Sequence, residues 1–138
     1  VGVQSGTVLE VKVATDSVLR TFSIGGHPQG IAVSSDGAEL YVADEASDSL
    51  HILNLASGAQ VGAVLLAGGA YDLQLSPDGT KLWVGEPAGV IQVVNRVTRT
   101  VARTYVVGGT VRRMAFTPDG TTVVAANEGG WVDFIRDH

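Results

Sequence analysis

The stretch Leu73-Gln74-Leu75-Ser76-Pro77-Asp78-Gly79-Thr80-Lys81-Leu82-Trp83-Val84 holds two short apolar runs around a four-residue turn. Proline presets φ, aspartate bonds its own backbone and glycine accepts positive φ, so Ser-Pro-Asp-Gly has a mechanism for reversing the chain. The runs on either side are short, rich in branched or aromatic residues and bounded by turn residues, which is how buried strands read. The stretch is therefore a β-hairpin. It has two counterparts. Ile31-Ala32-Val33 leads through Ser34-Ser35-Asp36-Gly37 into Leu40-Tyr41-Val42, and Met114-Ala115-Phe116 leads through Thr117-Pro118-Asp119-Gly120 into Val123-Val124-Ala125. The turn aspartates Asp36, Asp78 and Asp119 stand 42 and 41 residues apart.

A second marker keeps step with the first. Paired glycines at Gly25-Gly26, Gly68-Gly69 and Gly108-Gly109 lie just before each hairpin. After each hairpin comes a third strand, Val8–Val13, Leu50–Leu55, Val90–Val94 and Trp131–Ile135 across the copies. A fourth follows at Val18–Ile24, Val61–Leu66 and Val101–Val107. No segment carries ten residues of capped helical apolar spacing, so the expectation is almost no helix. Four strands every 40 to 45 residues are the signature of a β-propeller blade. With the strands named a to d from inside to outside, the chain reads as a partial blade over 1–26, whole blades over 27–69 and 70–109, and a partial blade over 110–138. The fold class is all-β: an arc of about three four-stranded antiparallel blades.

The stretch Gly26-His27-Pro28-Gln29-Gly30-Ile31-Ala32-Val33-Ser34-Ser35-Asp36-Gly37-Ala38-Glu39-Leu40-Tyr41-Val42-Ala43-Asp44 resembles the YVTN β-propeller repeat, with its Pro-x-Gly before strand a, its Asp-Gly turn and its Tyr-Val-Thr-Asn-like strand b. Trp83-Val84-Gly85-Glu86 and Val124-Ala125-Ala126-Asn127 hold the strand b positions in the later copies, while Pro28-Gln29-Gly30 is replaced there by Ala70-Tyr71-Asp72 and Val111-Arg112-Arg113. The resemblance implies a bacterial or archaeal source and an extracellular or periplasmic setting. It places the chain beside surface-layer proteins, DNA-associated periplasmic propellers, the haem d1 domain of nitrite reductase and lactonase-like enzymes.

Composition narrows the chemistry. The 138 residues include no cysteine, which excludes disulfides, zinc thiolates, Fe–S ligation and cysteine nucleophiles. Nine Lys and Arg against fourteen Asp and Glu leave a formal charge of −5, opposite to what phosphate neutralisation needs, so no nucleic-acid partner is indicated. No apolar run is long enough to span a bilayer, and the first residues do not read as a signal peptide. No phosphate loop, His-x-x-x-His pair or nucleophile elbow is present, and the reading includes no cofactor, no metal and no catalytic residue.

Seven residues are candidates for ligand binding: His27, Asp44, Asp72, Glu86, Arg112, Arg113 and Asn127. Asp44, Glu86 and Asn127 share the last position of strand b. With Asp72, Glu45, Asp48 and Glu128 they would form an acidic rim suited to Ca²⁺ or cationic groups; the plainer reading makes them turn residues that bond nearby backbone amides. Arg112 and Arg113 enter a strand a, where neighbours point to opposite sides. One would reach the axial channel and meet an anion, or pair with Asp72 or Glu128. Of the other histidines, His51 is expected to face outward and His138 to be solvated. Tyr41, Trp83 and Val124 share one position, read as packing between blades, with carbohydrate stacking the sharper alternative for Trp83 or Trp131.

Closed propellers usually have four to eight blades, and this chain has about three and a quarter. Its end blades carry no polar substitution of the kind that caps solenoids. Either it belongs to a longer chain or copies complete a ring together. Two copies give a six-bladed ring with one c strand too many at each junction, so Thr7–Val13 or Trp131–Ile135 must give way. The functional expectation is a non-catalytic, self-assembling scaffold that binds a ligand or partner at the channel mouth. Its rival is an enzyme or cofactor carrier whose axial site, from His27, Asp72 and Arg112 or Arg113, forms on assembly.

Overall fold

The computed structural model describes residues 2–3 and 5–136; His138 lies outside them. Every regular element among the described residues is a β-strand. Blade 1 holds β1 (Gly2–Val3), β2 (Thr7–Lys12) and β3 (Ser17–Ser23). Blade 2 holds β4 (Pro28–Val33), β5 (Glu39–Asp44), β6 (Ser49–Asn54) and β7 (Gln60–Leu65). Blade 3 holds β8 (Asp72–Leu75), β9 (Lys81–Gly85), β10 (Val90–Asn95) and β11 (Thr100–Val106). Blade 4 holds β12 (Val111–Phe116), β13 (Thr122–Asn127) and β14 (Trp131–Arg136). Each blade is an antiparallel meander in chain order, with no crossover. No helix among the described residues is long and apolar enough to cross a membrane.

The hairpin turns form as their residues dictate. Ser76 Oγ donates to Asp78 Oδ1 at 2.5 Å and accepts the Lys81 amide at 2.9 Å, while Gly79 takes φ +71° and donates to the Ser76 carbonyl. The other two copies repeat this with Ser34–Asp36 and Thr117–Asp119. Register across the blades then aligns Tyr41 with Trp83 and Val124 on strand b, and Ile52 with Val93 and Phe134 opposite them on strand c.

Strand alternation sends one face of each blade to its predecessor and the other to its successor. Val8 and Phe22 of blade 1 meet Leu40, Val42 and Leu53 of blade 2. Tyr41, Leu50 and Ile52 of blade 2 meet Leu73, Leu82, Val84 and Val94 of blade 3. Trp83, Ile91 and Val93 of blade 3 meet Met114, Val123, Ala125 and Ile135 of blade 4. The three cores lie between sheets, as in a propeller.

Among the described residues the outward faces of blades 1 and 4 are exposed. Phe134 is 72% exposed, whereas Ile52 and Val93 at the same repeat position are 1% and 2% exposed. Ile31, on the face of β4 turned toward blade 1, is 38% exposed against 2% for Leu73 and 5% for Met114. Val132 is half exposed where Leu50 and Ile91 are sealed.

Candidate functional site

Strand b ends and strand a begins at one mouth of the arc, and the seven candidate residues gather there by repeat position. Asp44, at the end of β5, is buried. Its Oδ1 accepts the amides of His27 at 2.7 Å and Ala46 at 3.0 Å, and its Oδ2 accepts the Ser47 hydroxyl at 2.5 Å. Burial works against its charge, but these donors and His51 hold the carboxyl below the usual range. Asn127 repeats the arrangement at the end of β13. Its Oδ1 accepts Thr110 N–H at 3.0 Å and Gly129 N–H at 2.9 Å, and its Nδ2 donates to the Gly108 carbonyl at 2.6 Å. These side chains lie where a Cβ would project from the glycine pair: a methyl on Gly26 would stand 2.1 Å from Asp44 Oδ2, and one on Gly109 would stand 2.0 Å from Asn127 Oδ1. The glycine pairs and the polar end of strand b are thus one device, which pins the d–a connection to strand b.

Glu86 holds the third such position and behaves differently. It is fully buried, and neither carboxyl oxygen meets a donor in hydrogen-bond geometry among the described residues. Burial pushes its pKa up to about 7; the nearby Gly68 amide offsets this only in part, and the charge of Asp48 adds to it.

Asp72 is also buried, and its Oδ2 accepts the Met114 amide of the neighbouring blade at 2.6 Å. It ties strand a of blade 3 to strand a of blade 4. Gly30 holds the same position one blade earlier, and there a Cβ would meet the Leu73 backbone nitrogen at 2.7 Å. The inner strands approach too closely for a larger residue at that point.

The three exposed candidates are His27, Arg112 and Arg113, and no hydrogen bond joins His27 to either arginine among the described residues. Arg112 Nε donates to Glu128 Oε1 at 2.5 Å, and its guanidinium sits 4.3 Å above the Tyr71 ring. Gln29 makes the matching bond to Glu45 at 2.8 Å. Arg113 donates to the Arg112 carbonyl at 2.9 Å and reaches the Tyr71 carbonyl at 3.5 Å. The mouth is thus a strip of Gln29, Tyr71 and Arg112 edged by Glu45 and Glu128, with Arg113 and His27 exposed beside it. Among the described residues no group of three His, Asp or Glu is arranged to hold a metal ion.

Two expectations are corrected by burial. His51 does not face outward: its side chain is largely covered, with Nε2 at 3.3 Å from Ser47 Oγ and 3.4 Å from Asp44 Oδ2, because its face of β6 looks toward blade 1. Trp83 is sealed between blades 3 and 4, stacked on Tyr105 at 5.6 Å and edge-on to Phe116 at 5.9 Å, so it offers no surface to a sugar. The residues missed in the sequence lie at the other mouth. Arg96 and Arg99, in the turn between β10 and β11, reach across to blade 2. Arg96 Nε donates to Tyr41 Oη at 2.6 Å and Glu39 Oε2 at 3.2 Å, and Arg99 Nη2 donates to Glu39 Oε1 at 3.2 Å. Neither recurs in the other copies, so the repeat carries no signal for them.

Four radial antiparallel sheets, with their cores between them, define a β-propeller arc. No family model matches the chain, and no curated protein matches it. Among solved structures, Kuenenia stuttgartiensis hydrazine synthase superposes with a TM-score of 0.85 at 26% identity over 95% of this chain. The match spans 40% of the hydrazine synthase chain.

Proposed function

We propose that the chain is a non-catalytic propeller scaffold of the YVTN type that closes a ring with a second copy and offers its mouth to a ligand or partner. The observation that carries this reading is the exposure of Phe134, Val132 and Ile31 at positions that are sealed in every completed junction. Burying such surface contributes about 25 cal/mol per Å², and contiguous apolar faces on soluble proteins mark contact sites. At the mouth, Asp44, Asp72 and Asn127 are committed to backbone amides. The exposed cationic groups there are His27, Arg113 and Arg112, the last of which would exchange its bond to Glu128 for an anionic partner. Titration of the assembled protein with short carboxylate or phosphate compounds, followed by calorimetry, tests this. Binding that weakens at least tenfold in an Arg112→Gln/Arg113→Gln variant supports it, and no binding by any anion counts against it.

One observation favours a second reading. The solved-structure neighbour is named as a synthase, so an enzyme or cofactor-carrying propeller with an axial site is the rival. A visible absorption spectrum and a screen for hydrolase and lactonase turnover separate the two. A coloured or active assembled protein would replace the scaffold reading.

A further inference from the structure

Each blade after the first is reached through a d–a connection at the mouth that holds the candidate residues. Two of these connections are tied by a side chain at the end of strand b: Asp44 Oδ1 accepts the His27 amide and Asn127 Oδ1 accepts the Thr110 amide. The third runs from β7 to β8 through Gly68, Gly69 and Ala70, and its strand b residue is Glu86. Ala70 holds the position of His27 and Thr110, yet neither carboxyl oxygen of Glu86 has a hydrogen-bond partner among the described residues. The side chain is nonetheless sealed, at 0% exposure.

This connection is held at its two ends. The Leu66 amide donates to the Asp48 carbonyl at 2.8 Å and the Ala67 amide to Gln92 Oε1 at 2.8 Å, and beyond the glycines the Tyr71 amide donates to the Gly85 carbonyl at 2.8 Å. Between these ties lies Gly68, where a Cβ would stand 3.6 Å from Glu86 Oε2. The glycine pair is thus part of the cover over the carboxyl. Ala67 is exposed and both glycines are half-buried, so the cover is thin, and thinly packed segments open at low cost.

The charges around Glu86 do not suit an anion. Asp48 and Glu45 stand on the loop between β5 and β6, and the charge of Asp48 opposes one on Glu86. Asp72, on β8, is buried and accepts the Met114 amide. Arg112 follows Val111, whose amide donates to the Glu86 main-chain carbonyl at 3.3 Å, but its guanidinium is taken by Glu128 and the Tyr71 ring. A buried carboxylate with neither donors nor a cation is costly, and such a group keeps its proton instead. Ionisation requires water, and water requires the cover to move.

We propose that Glu86 is a proton-operated latch on the β7–β8 connection, which is closed while the carboxyl is protonated and opens locally when the proton leaves. Opening frees the segment that leads directly into Tyr71, so the middle of the mouth strip loosens with it. In the open form the hydrated carboxyl returns to the ordinary value of 4.5, against about 7 when closed. Opening therefore releases one proton and becomes about tenfold more favourable per pH unit between those values. The latch works within one chain and does not depend on a second copy.

Hydrogen exchange of the intact protein from about pH 5 to about 7, with each rate divided by the intrinsic rate at that pH, is the test. The expected result has three parts. Amides of residues 66–71 exchange faster than those of β9 and β10, their protection falls about tenfold per pH unit, and Glu86→Gln abolishes the fall. Glu86→Asn places here the residue that blade 4 uses; it is expected to give the same flat profile with added protection at Ala70, and it serves should the glutamine variant fail to fold. Protection of 66–71 that is unchanged with pH in the unmodified protein, a fall that persists in the variants, or exchange of 66–71 only together with β9 and β10 overturns the latch.

Discussion

Asp44 and Asn127 perform one task with different chemistry. Each closes the d–a turn through its Oδ1, and the carboxylate adds Ser47 and His51. Asp44→Asn keeps the acceptor and is expected to cost less than about 1 kcal/mol. Asp44→Ala strands two amides and is expected to cost about 2–3 kcal/mol; urea denaturation measures both. Glu86 supplies the pH dependence. Its folded pKa of about 7 lies above the unfolded 4.5, so the folded state holds an extra proton between those values. Stability therefore falls as pH rises from about 4.5 through 7, by roughly 2–4 kcal/mol at full ionisation. Asp36 acts at the acid end. The Ser34 hydroxyl and Ala38 amide lower its pKa to about 2, so its contribution is complete above about 4 and disappears as pH falls toward 2. Thermal melts from pH 5 to 8 should show a falling Tm that Glu86→Gln flattens. An unchanged slope in that variant would remove Glu86 as the cause. The glycine pairs and the polar strand ends are each legible in the sequence, but not that they occupy the same space, because that depends on where a missing Cβ would point.

At the level of the blade, the hairpins are readable from local chemistry alone. A Ser-Pro-Asp-Gly turn fixes its flanking strands whatever surrounds it, and expected and observed strands agree to within a residue or two except that β4 and β12 begin three residues ahead of Ile31 and Met114. These two larger offsets fall where the first-to-second strand ladder carries a register shift, between Pro28 and Gly30 in blade 2 and between Val111 and Arg113 in blade 4. What joins blade to blade is less legible. Tyr41, Glu39 and Arg96 form one polar cluster across the junction of blades 2 and 3, and burial followed by the bond to Glu39 pushes the Tyr41 hydroxyl up to about 12. Such a contact links residues 55 apart in sequence and leaves no periodic trace. A double-mutant cycle of Tyr41→Phe with Arg96→Met should give a coupling of about 0.5–1.5 kcal/mol. Additive effects would show that the two side chains are neighbours without being partners.

Taken whole, the molecule is a stack of junctions with two faces left over. Val11 and Val18 on blade 1 hold the positions of Val94 and Val101, which pack against blade 2, yet both are exposed. These faces were visible in the sequence as an apolar repeat array without polar caps, whereas how far each one is exposed is read only from the structure. Val11→Asp/Val18→Asp places charge in the ring junction, and sedimentation should show this variant shifted to single chains with its circular dichroism unchanged. The central claim is that the arc is unfinished and that a second copy completes it. Sedimentation equilibrium of the unmodified protein at micromolar concentration tests this most directly. The account predicts a particle of twice 14.2 kDa; a well-behaved single chain at that concentration contradicts it.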